Sequence, residues 1–366
     1  HIKVTQKMIS SELIDTGTID IVSDALFNQN PVAIDTEFMR EKTYFAKLCL
    51  VQVATIDSIY CIDTLSTVNL EKFWRSVSSS YCVFHSARQD LEILFQTANI
   101  LPKKIFDTQI AASILGYPHQ ISYKLLVEKL CGKKLKKAHT RANWEKRPLT
   151  NDMIEYAAED VQFLLEIHSK LYKKLQEQDR LKWAEEDFEK LNSKNLYRVN
   201  KETIPNKLKS PSSMHGHEKR TFKLFSEWRE LEAMKKNLPR KWIIKDKTII
   251  EIIKKRIRKK SELNDIKSIS KTVIEEHGTQ ILKIMENISD TQKIDSGIMR
   301  VNEKQKRDVS EAQNEVKIIS KNLGVVPELI ATKKEIKNFI LGEENVRFMH
   351  GWRYEIFGKR LLELIN

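Results

Sequence analysis

The string Pro31-Val32-Ala33-Ile34-Asp35-Thr36-Glu37-Phe38-Met39 opens on small and β-branched apolar side chains and closes on two carboxylates. A short apolar run led by a proline reads as a buried strand, here Pro31–Asp35. Alternate side chains of an extended segment share a face, so Asp35 and Glu37 stand side by side. Two adjacent carboxylates repel unless a cation lies between them, and hard divalent ions such as Mg²⁺ and Mn²⁺ take oxygen ligands. Taken alone, the pattern also fits an acidic surface turn.

Four further runs rich in Val, Ile and Cys read as strands: Leu48–Thr55, Ser58–Ile62, Tyr81–His85 and Ile105–Phe106. Helical patterns follow at Gln89–Ala98, Asp107–Leu115 and Ser122–Leu130, with Ser122 placed to cap the last of them. Strands early and helices late indicate an α/β or α+β domain. Leu149-Thr150-Asn151-Asp152 supplies cap residues for another helix. Its stripe of Met153, Ile154, Ala157, Val161, Leu164, Leu165, His168 and Leu171 runs unbroken to about Gln176, and a charged helix extends it to Leu191.

Two of these helices carry groups that fit beside the first pair of acids. Asp90 stands in the opening turn of the helix after Tyr81–His85, a place the helix dipole favours for any acid. Tyr156 and Asp160 are four apart on a helix and share a face, which places a phenol beside a carboxylate where it can hold a water.

The 366 residues, 41% hydrophobic and 31% charged, suffice for two or three domains and exclude both wholesale disorder and an integral membrane protein. No apolar run reaches the roughly 20 residues of a bilayer span, and His1–Gly17 lacks the basic-then-apolar order of a secretory signal. A cytoplasmic protein is the expectation. The four cysteines, Cys49, Cys61, Cys82 and Cys131, have no metal or redox spacing and read as small core side chains.

Charge is unevenly spread. Residues 1–200 carry 27 Lys and Arg against 26 Asp and Glu, while residues 201–366 carry 36 against 24, so nearly all of the net +13 lies in the second part. A basic surface attracts polyanions, which makes nucleic acid the first partner to consider and an anionic membrane the second. The Pro- and Ser-containing stretch Val199–Gly216 reads as a linker. Beyond it the pattern is all-helical, at Glu218–Lys236, Asp246–Lys255, Ser261–Ile266 and Ser270–Ile288. After the polar stretch Ser289–Lys306 it resumes at Asp308–Leu323, Pro327–Leu341 and Trp352–Leu364. Two basic runs stand out: Lys133 to Lys137, followed by Arg141, Lys146 and Arg147, and Lys254 to Lys260 with six basic residues in seven. Each is a solvated face or a contact for a phosphate backbone.

Asp35 and Glu37, Asp90, and Tyr156 with Asp160, in this order and in these contexts, resemble the three exonuclease motifs of the DEDD superfamily, in the subclass with tyrosine in the third motif. The strings AIDTEFMREKTYFAKLCLVQVA, FHSARQDLEIL, FDTQIAASILGY and TRANWEKRPLTNDMIEYAAEDVQFL resemble the bacterial ribonuclease D family. FSEWRELEAMKKNLPRKWIIKDKTIIEI is similar to the helicase-and-ribonuclease-D C-terminal (HRDC) domain, with a weaker second copy in LGVVPELIATKKEIKNFI and HGWRYEIFGKRLLELI. The chain departs from the family's pattern at Ala142-Asn143, before Trp144, where an acid is more usual.

The resemblance implies an α/β fold of the RNase H-like exonuclease type, a mixed five-stranded sheet flanked by helices, in residues 1–198. A linker at 199–216 and two small all-α HRDC-like domains, 217–290 and 305–366, would follow. It implies a 3′→5′ exoribonuclease that uses two divalent ions, Mg²⁺ or Mn²⁺, held by Asp35, Glu37, Asp90 and Asp160. Asp35 would bridge, Glu37 and Asp160 would hold the ion on the side of the attacking water, Asp90 the other, and Tyr156 would orient the water. Nucleoside 5′-monophosphates would leave from the 3′ ends of tRNA precursors and other small structured RNAs. Phe38, Met39 and His85 flank the acids and are candidates to bind the terminal nucleotide. A monomer with no membrane partner is expected. A repair-type DNA 3′→5′ exonuclease and a catalytically silent RNA-binding protein are the competing readings. The chain has no G-x-x-x-x-G-K-[ST] string that would place it within a helicase, and a silent site has no reason to keep mutually repelling acids.

Overall fold

The apolar runs form the strands of one sheet: β1 (Ser11–Ile14), β2 (Val32–Met39), β3 (Lys47–Ala54), β4 (Ile59–Asp63), β5 (Tyr81–Phe84) and β6 (Lys104–Asp107). The structure is a computed structural model that describes residues 11–14, 18–28, 30–67, 69–135, 142–198, 211, 214, 216–286 and 302–365. The strands lie in the order β1-β4-β3-β2-β5-β6. β1 runs parallel to β4, β4 antiparallel to β3, and β2, β5 and β6 parallel to one another. The sheet is thus mixed, as expected, but has six strands rather than five. The added strand, β1, has only four residues, too few for an alternation to be read. Every residue of β4, and every residue of β3 after Lys47, is buried, which is why these strands read as continuous apolar runs. Cys49, Cys61 and Cys82 are free thiols in this core.

The helices around the sheet are α1 (Ile19–Asn28), α2 (Glu71–Ser79), α3 (Arg88–Ala98), α4 (Thr108–Ile114), α5 (Tyr123–Cys131), α6 (Asn151–Gln162), α7 (Leu164–Glu177), α8 (Leu181–Leu191) and α9 (Lys194–Tyr197). Their starts follow the cap chemistry. Asp107 accepts from the amides of Gln109 and Ile110, Ser122 from Leu125 and Thr150 from Met153. The helix expected to run unbroken from Asp152 to about Gln176 is interrupted at Phe163, between α6 and α7.

Residues 40–47 and the described residues between 198 and 286 form a compact unit of their own. It holds α10 (Gly216–Lys236), α11 (Arg240–Ile243), α12 (Asp246–Lys255) and α13 (Lys271–Glu286), with a 3₁₀ turn at Lys260–Asp265 where a helix was expected. Its core is Phe222, Phe225, Ile249, Ile252, Ile253, Leu263 and Ile281, together with Tyr44. The Tyr44 hydroxyl donates to buried Glu230, which also receives Arg240. The expected linker at 199–216 lies almost wholly outside the described residues, as does 289–301 of the second polar stretch.

The last segment comprises α14 (Glu303–Leu323), α15 (Pro327–Ile330), α16 (Lys333–Ile340), α17 (Gly351–Arg353), a π-helical turn at Tyr354–Gly358 and α18 (Lys359–Ile365). It packs its own core around Val316, Ile330, Ile336, Phe348, Phe357 and Leu361. Unlike α10–α13, it belongs to the same compact unit as the sheet. Arg353, 2% exposed, donates to both oxygens of Asp187 on α8 at 2.7 and 2.8 Å, and its Nε donates to the Leu329 carbonyl. Trp352 stacks on Trp183 with ring centroids 4.7 Å apart, and its amide donates to Glu186. A Cβ on Gly116 would come within 2.2 Å of the Gly324 carbonyl oxygen, so only glycine permits that approach. Pairs such as Arg353 with Asp187 and Trp352 with Trp183 join residues more than 160 apart in the chain, beyond the reach of local patterns.

Candidate active site

β2 delivers the first two acids. The Thr36 hydroxyl, between Asp35 and Glu37 in the chain, donates to Asp90 Oδ1 at 2.5 Å, tying the strand to the first turn of α3. α6 brings Asp160 to the other side. Oxygens of Asp35, Glu37 and Asp160 all lie within 4.8 Å of one another; Asp90 stands next to this triangle, near enough for its charge to act on Asp35. Tyr156, one turn before Asp160, hydrogen-bonds its carboxylate.

The electrostatics of this group set it apart. Burial, followed by the charges of Asp90, Asp160 and Glu37, holds the Asp35 carboxyl well above the usual carboxylate range. Burial and the charges of Asp160 and Asp90 push Glu37 up to about 8. Asp90 and Asp160 rise to about 7, mainly through burial. Burial and the neighbouring acids also push the Tyr156 phenol up, so it stays neutral. Four acids that resist ionisation in one place are a poor arrangement for a bare protein and a good one for a bound cation. The donor set is all oxygen, which fits Mg²⁺ or Mn²⁺.

Asp107 is a contributor that the sequence reading passed over. Besides capping α4, its carboxylate accepts from the amides of Ser86 at 3.3 Å and Ala87 at 2.8 Å. Ser86 sits at φ 62°, and this pinned turn fixes where α3 starts and therefore where Asp90 points. An aspartate between a strand and a helix was the available signal.

The candidate nucleotide-binding residues separate. Phe38 and Met39 are half-buried at the end of β2, next to Glu37. His85 has both ring nitrogens engaged, Nδ1 with the Thr108 hydroxyl at 2.9 Å and Nε2 with the Ile121 carbonyl at 3.0 Å, and its ring packs against Tyr123. It is built into the wall of the site. Arg147, read with a basic run, is likewise committed: it donates to both Asp63 oxygens at 2.6 Å and to the carbonyls of Cys49 and Trp144. This fixes the loop before α6 and sets the buried Trp144 ring near Tyr156. Lys133, Lys134 and Lys146 are exposed, while Lys136, Lys137 and Arg141 lie outside the described residues.

Comparison with known proteins bears on this geometry. A 3′-5′ exonuclease family model matches residues 15–176, and an HRDC domain model matches residues 218–285. Ribonuclease D of Gluconacetobacter diazotrophicus is 32% identical over 95% of this chain and 91% of its own length. Ribonuclease D of Bartonella henselae is 29% identical over 97% and 89%. Among solved structures, Escherichia coli RNase D, described as an exoribonuclease involved in structured RNA processing, superposes with a TM-score of 0.86 at 22% identity, covering 98% of this chain and 99% of that one.

Proposed function

The chain belongs to the ribonuclease D family, and on that premise we propose that it is a metal-dependent 3′→5′ exoribonuclease that trims the 3′ ends of tRNA precursors and other small structured RNAs. The observation that carries this reading is the convergence of Asp35, Glu37 and Asp160 beside Tyr156, with every carboxyl raised in pKa. Two ions, Mg²⁺ or Mn²⁺, bound through Asp35, Glu37, Asp90 and Asp160 would lower the pKa of the attacking water and neutralise charge developing on the phosphate and the leaving 3′-oxygen.

The protein's own groups then have distinct tasks. Asp35, Glu37, Asp160 and Asp90 would together hold the ions, with Glu37 and Asp160 on the side of the attacking water and Asp90, held by Thr36, on the side of the leaving group. Tyr156 keeps its proton because its pKa is raised, so it acts as a hydrogen-bonding guide for the water and leaves proton removal to other groups. Phe38 and Met39 offer apolar surface on which a terminal base can stack. Attack on the last phosphodiester from this side releases a nucleoside 5′-monophosphate. We take 217–290 as an HRDC-like domain and 305–366 as a second, degenerate copy. The basic residues Lys254, Lys255, Arg256, Arg258, Lys259 and Lys260 are all exposed, and they supply affinity for the phosphate backbone. The protein acts as a cytoplasmic monomer; no helix among the described residues is long and apolar enough to cross a membrane.

The test is a time course on a 5′-labelled tRNA precursor with a short 3′ extension, beside matched single-stranded DNA, in Mg²⁺, Mn²⁺ and EDTA. Metal-dependent shortening of the RNA from its 3′ end, absent in Asp35→Asn, is the expected result. Preferential loss of the DNA would replace the substrate, and tight binding without cleavage would remove the enzyme.

A further inference from the structure

The break between α6 and α7 has a specific cause. In an uninterrupted helix the amide of Phe163 would donate to the carbonyl of Glu159, four residues back. Here the hydroxyl of Tyr123, from the first position of α5, stands between them. It accepts from the Phe163 amide at 3.1 Å and donates to the Glu159 carbonyl at 3.1 Å. Phe163 takes φ −105° and ψ 0°, and the ladder resumes with the Ile167 amide on the Phe163 carbonyl at 2.9 Å. A side chain inserted into the helical ladder is a recognised origin of a sharp bend.

The position of the insertion gives it meaning. Glu159, whose carbonyl is captured, directly precedes Asp160 in the last turn of α6, and Tyr156 lies one turn earlier. The charges of Asp160 and Asp35 both act on the Tyr123 hydroxyl, which places it near the carboxylate cluster. Tyr123 is itself held firmly. Ser122 caps α5, and the His85 ring packs on the tyrosine while Nε2 of that histidine bonds the carbonyl of Ile121, two residues before it.

We propose that Tyr123 is a positioning residue for Asp160: its hydroxyl, spliced between Glu159 and Phe163, holds open the helix break that aims Asp160 at Asp35 and Glu37. This rests on the reading of those acids as the metal site. Hydrogen-bonding partners one layer behind metal ligands commonly change metal affinity by 10–100-fold when removed. Tyr123→Phe keeps the ring and its packing but lets Phe163 and Glu159 close the ladder directly, which straightens the helix and turns Asp160 away.

The experiment titrates Mn²⁺ into metal-free wild type, Tyr123→Phe and Asp160→Asn, following free Mn²⁺ by electron paramagnetic resonance, with RNA kinetics alongside. Circular dichroism and the melting temperature in EDTA show that each variant is folded. Tyr123→Phe is expected to need about 10–100 times more Mn²⁺ for half-saturation. At limiting Mn²⁺ its kcat falls with KM for RNA unchanged, and excess Mn²⁺ restores it. A helix that merely lost stability would melt earlier with its Mn²⁺ midpoint unmoved. If Asp160→Asn weakens Mn²⁺ binding and folded Tyr123→Phe does not, the positioning role is wrong and the metal site stands. If Asp160→Asn also binds Mn²⁺ like wild type, the metal site falls and the positioning role with it.

Discussion

Asp35→Asn, the change expected to abolish turnover, should stabilise the metal-free protein. Glu37 illustrates the magnitude. Its carboxyl moves from an ordinary 4.5 to about 8 in the folded state, so at high pH the fold must ionise a group that the unfolded chain ionises easily. At about 1.4 kcal/mol per unit this is roughly 5 kcal/mol, and partial exposure of the side chain cuts it to about 2–3 kcal/mol. Asp35 lies among the same charges, and the amide removes its share of the repulsion. The sign follows from proton counts: between about pH 4 and 8 the native state binds more protons than the unfolded one, so its stability falls as pH rises. Wild type in EDTA is therefore expected to lose stability from pH 5 to 8. Asp35→Asn should lose less, and be about 1–3 kcal/mol more stable at pH 8, a gain of roughly 1–4 °C in Tm. Below about pH 4 the two should coincide. Saturating Mn²⁺ should reverse the order, since it stabilises only the form that binds it. Differential scanning calorimetry across this pH range is the assay. A wild-type Tm that stays level from pH 5 to 8 in EDTA, or a variant that melts below wild type at pH 8, would refute the argument.

Other parts of the molecule make independent tests. Asp187→Ala strands the Arg353 guanidinium, 2% exposed, and should cost about 3–5 kcal/mol, read as a lower Tm and as early proteolysis within 302–365. Arg258→Glu with Lys259→Glu should reduce the salt slope of RNA binding by roughly 0.7 for each phosphate that is no longer neutralised, measured by fluorescence anisotropy, while hydrolysis of a dinucleotide is unchanged. An unchanged slope would remove this face from the RNA-binding surface.

Strand and helix periodicities showed which acids share a face, and the resemblance to the three exonuclease motifs joined them with Asp90 into one site. The pair at Asp35 and Glu37, and the i, i+4 pair at Tyr156 and Asp160, needed only local geometry, and both appear in the structure as read. Caps were legible for the same reason, since Ser122 and Thr150 act on amides three residues away. What could not be read depends on partners far along the chain. Arg147 looked like a surface cation because its acceptor, Asp63, lies 84 residues earlier. His85 looked like a ligand for a nucleotide because Thr108 and Ile121 had not yet been brought to its two nitrogens.

The helix break is the most instructive of these. Along the stripe from Met153 to Leu171 nothing is a helix breaker: Phe163 is an ordinary residue, and no glycine or proline lies near it. The interruption comes from a hydroxyl 40 residues away that offers the backbone a donor and an acceptor at once, so the Phe163 amide and the Glu159 carbonyl are both paired. Periodicity therefore reports which face of the segment is buried, and it does so correctly on both sides of the break. It cannot report that the helical ladder is interrupted at Phe163, about two turns past Tyr156. The interruption falls three residues after Asp160, at the carbonyl that precedes it, so the feature the sequence conceals is also the one to which the positioning of that carboxylate is assigned.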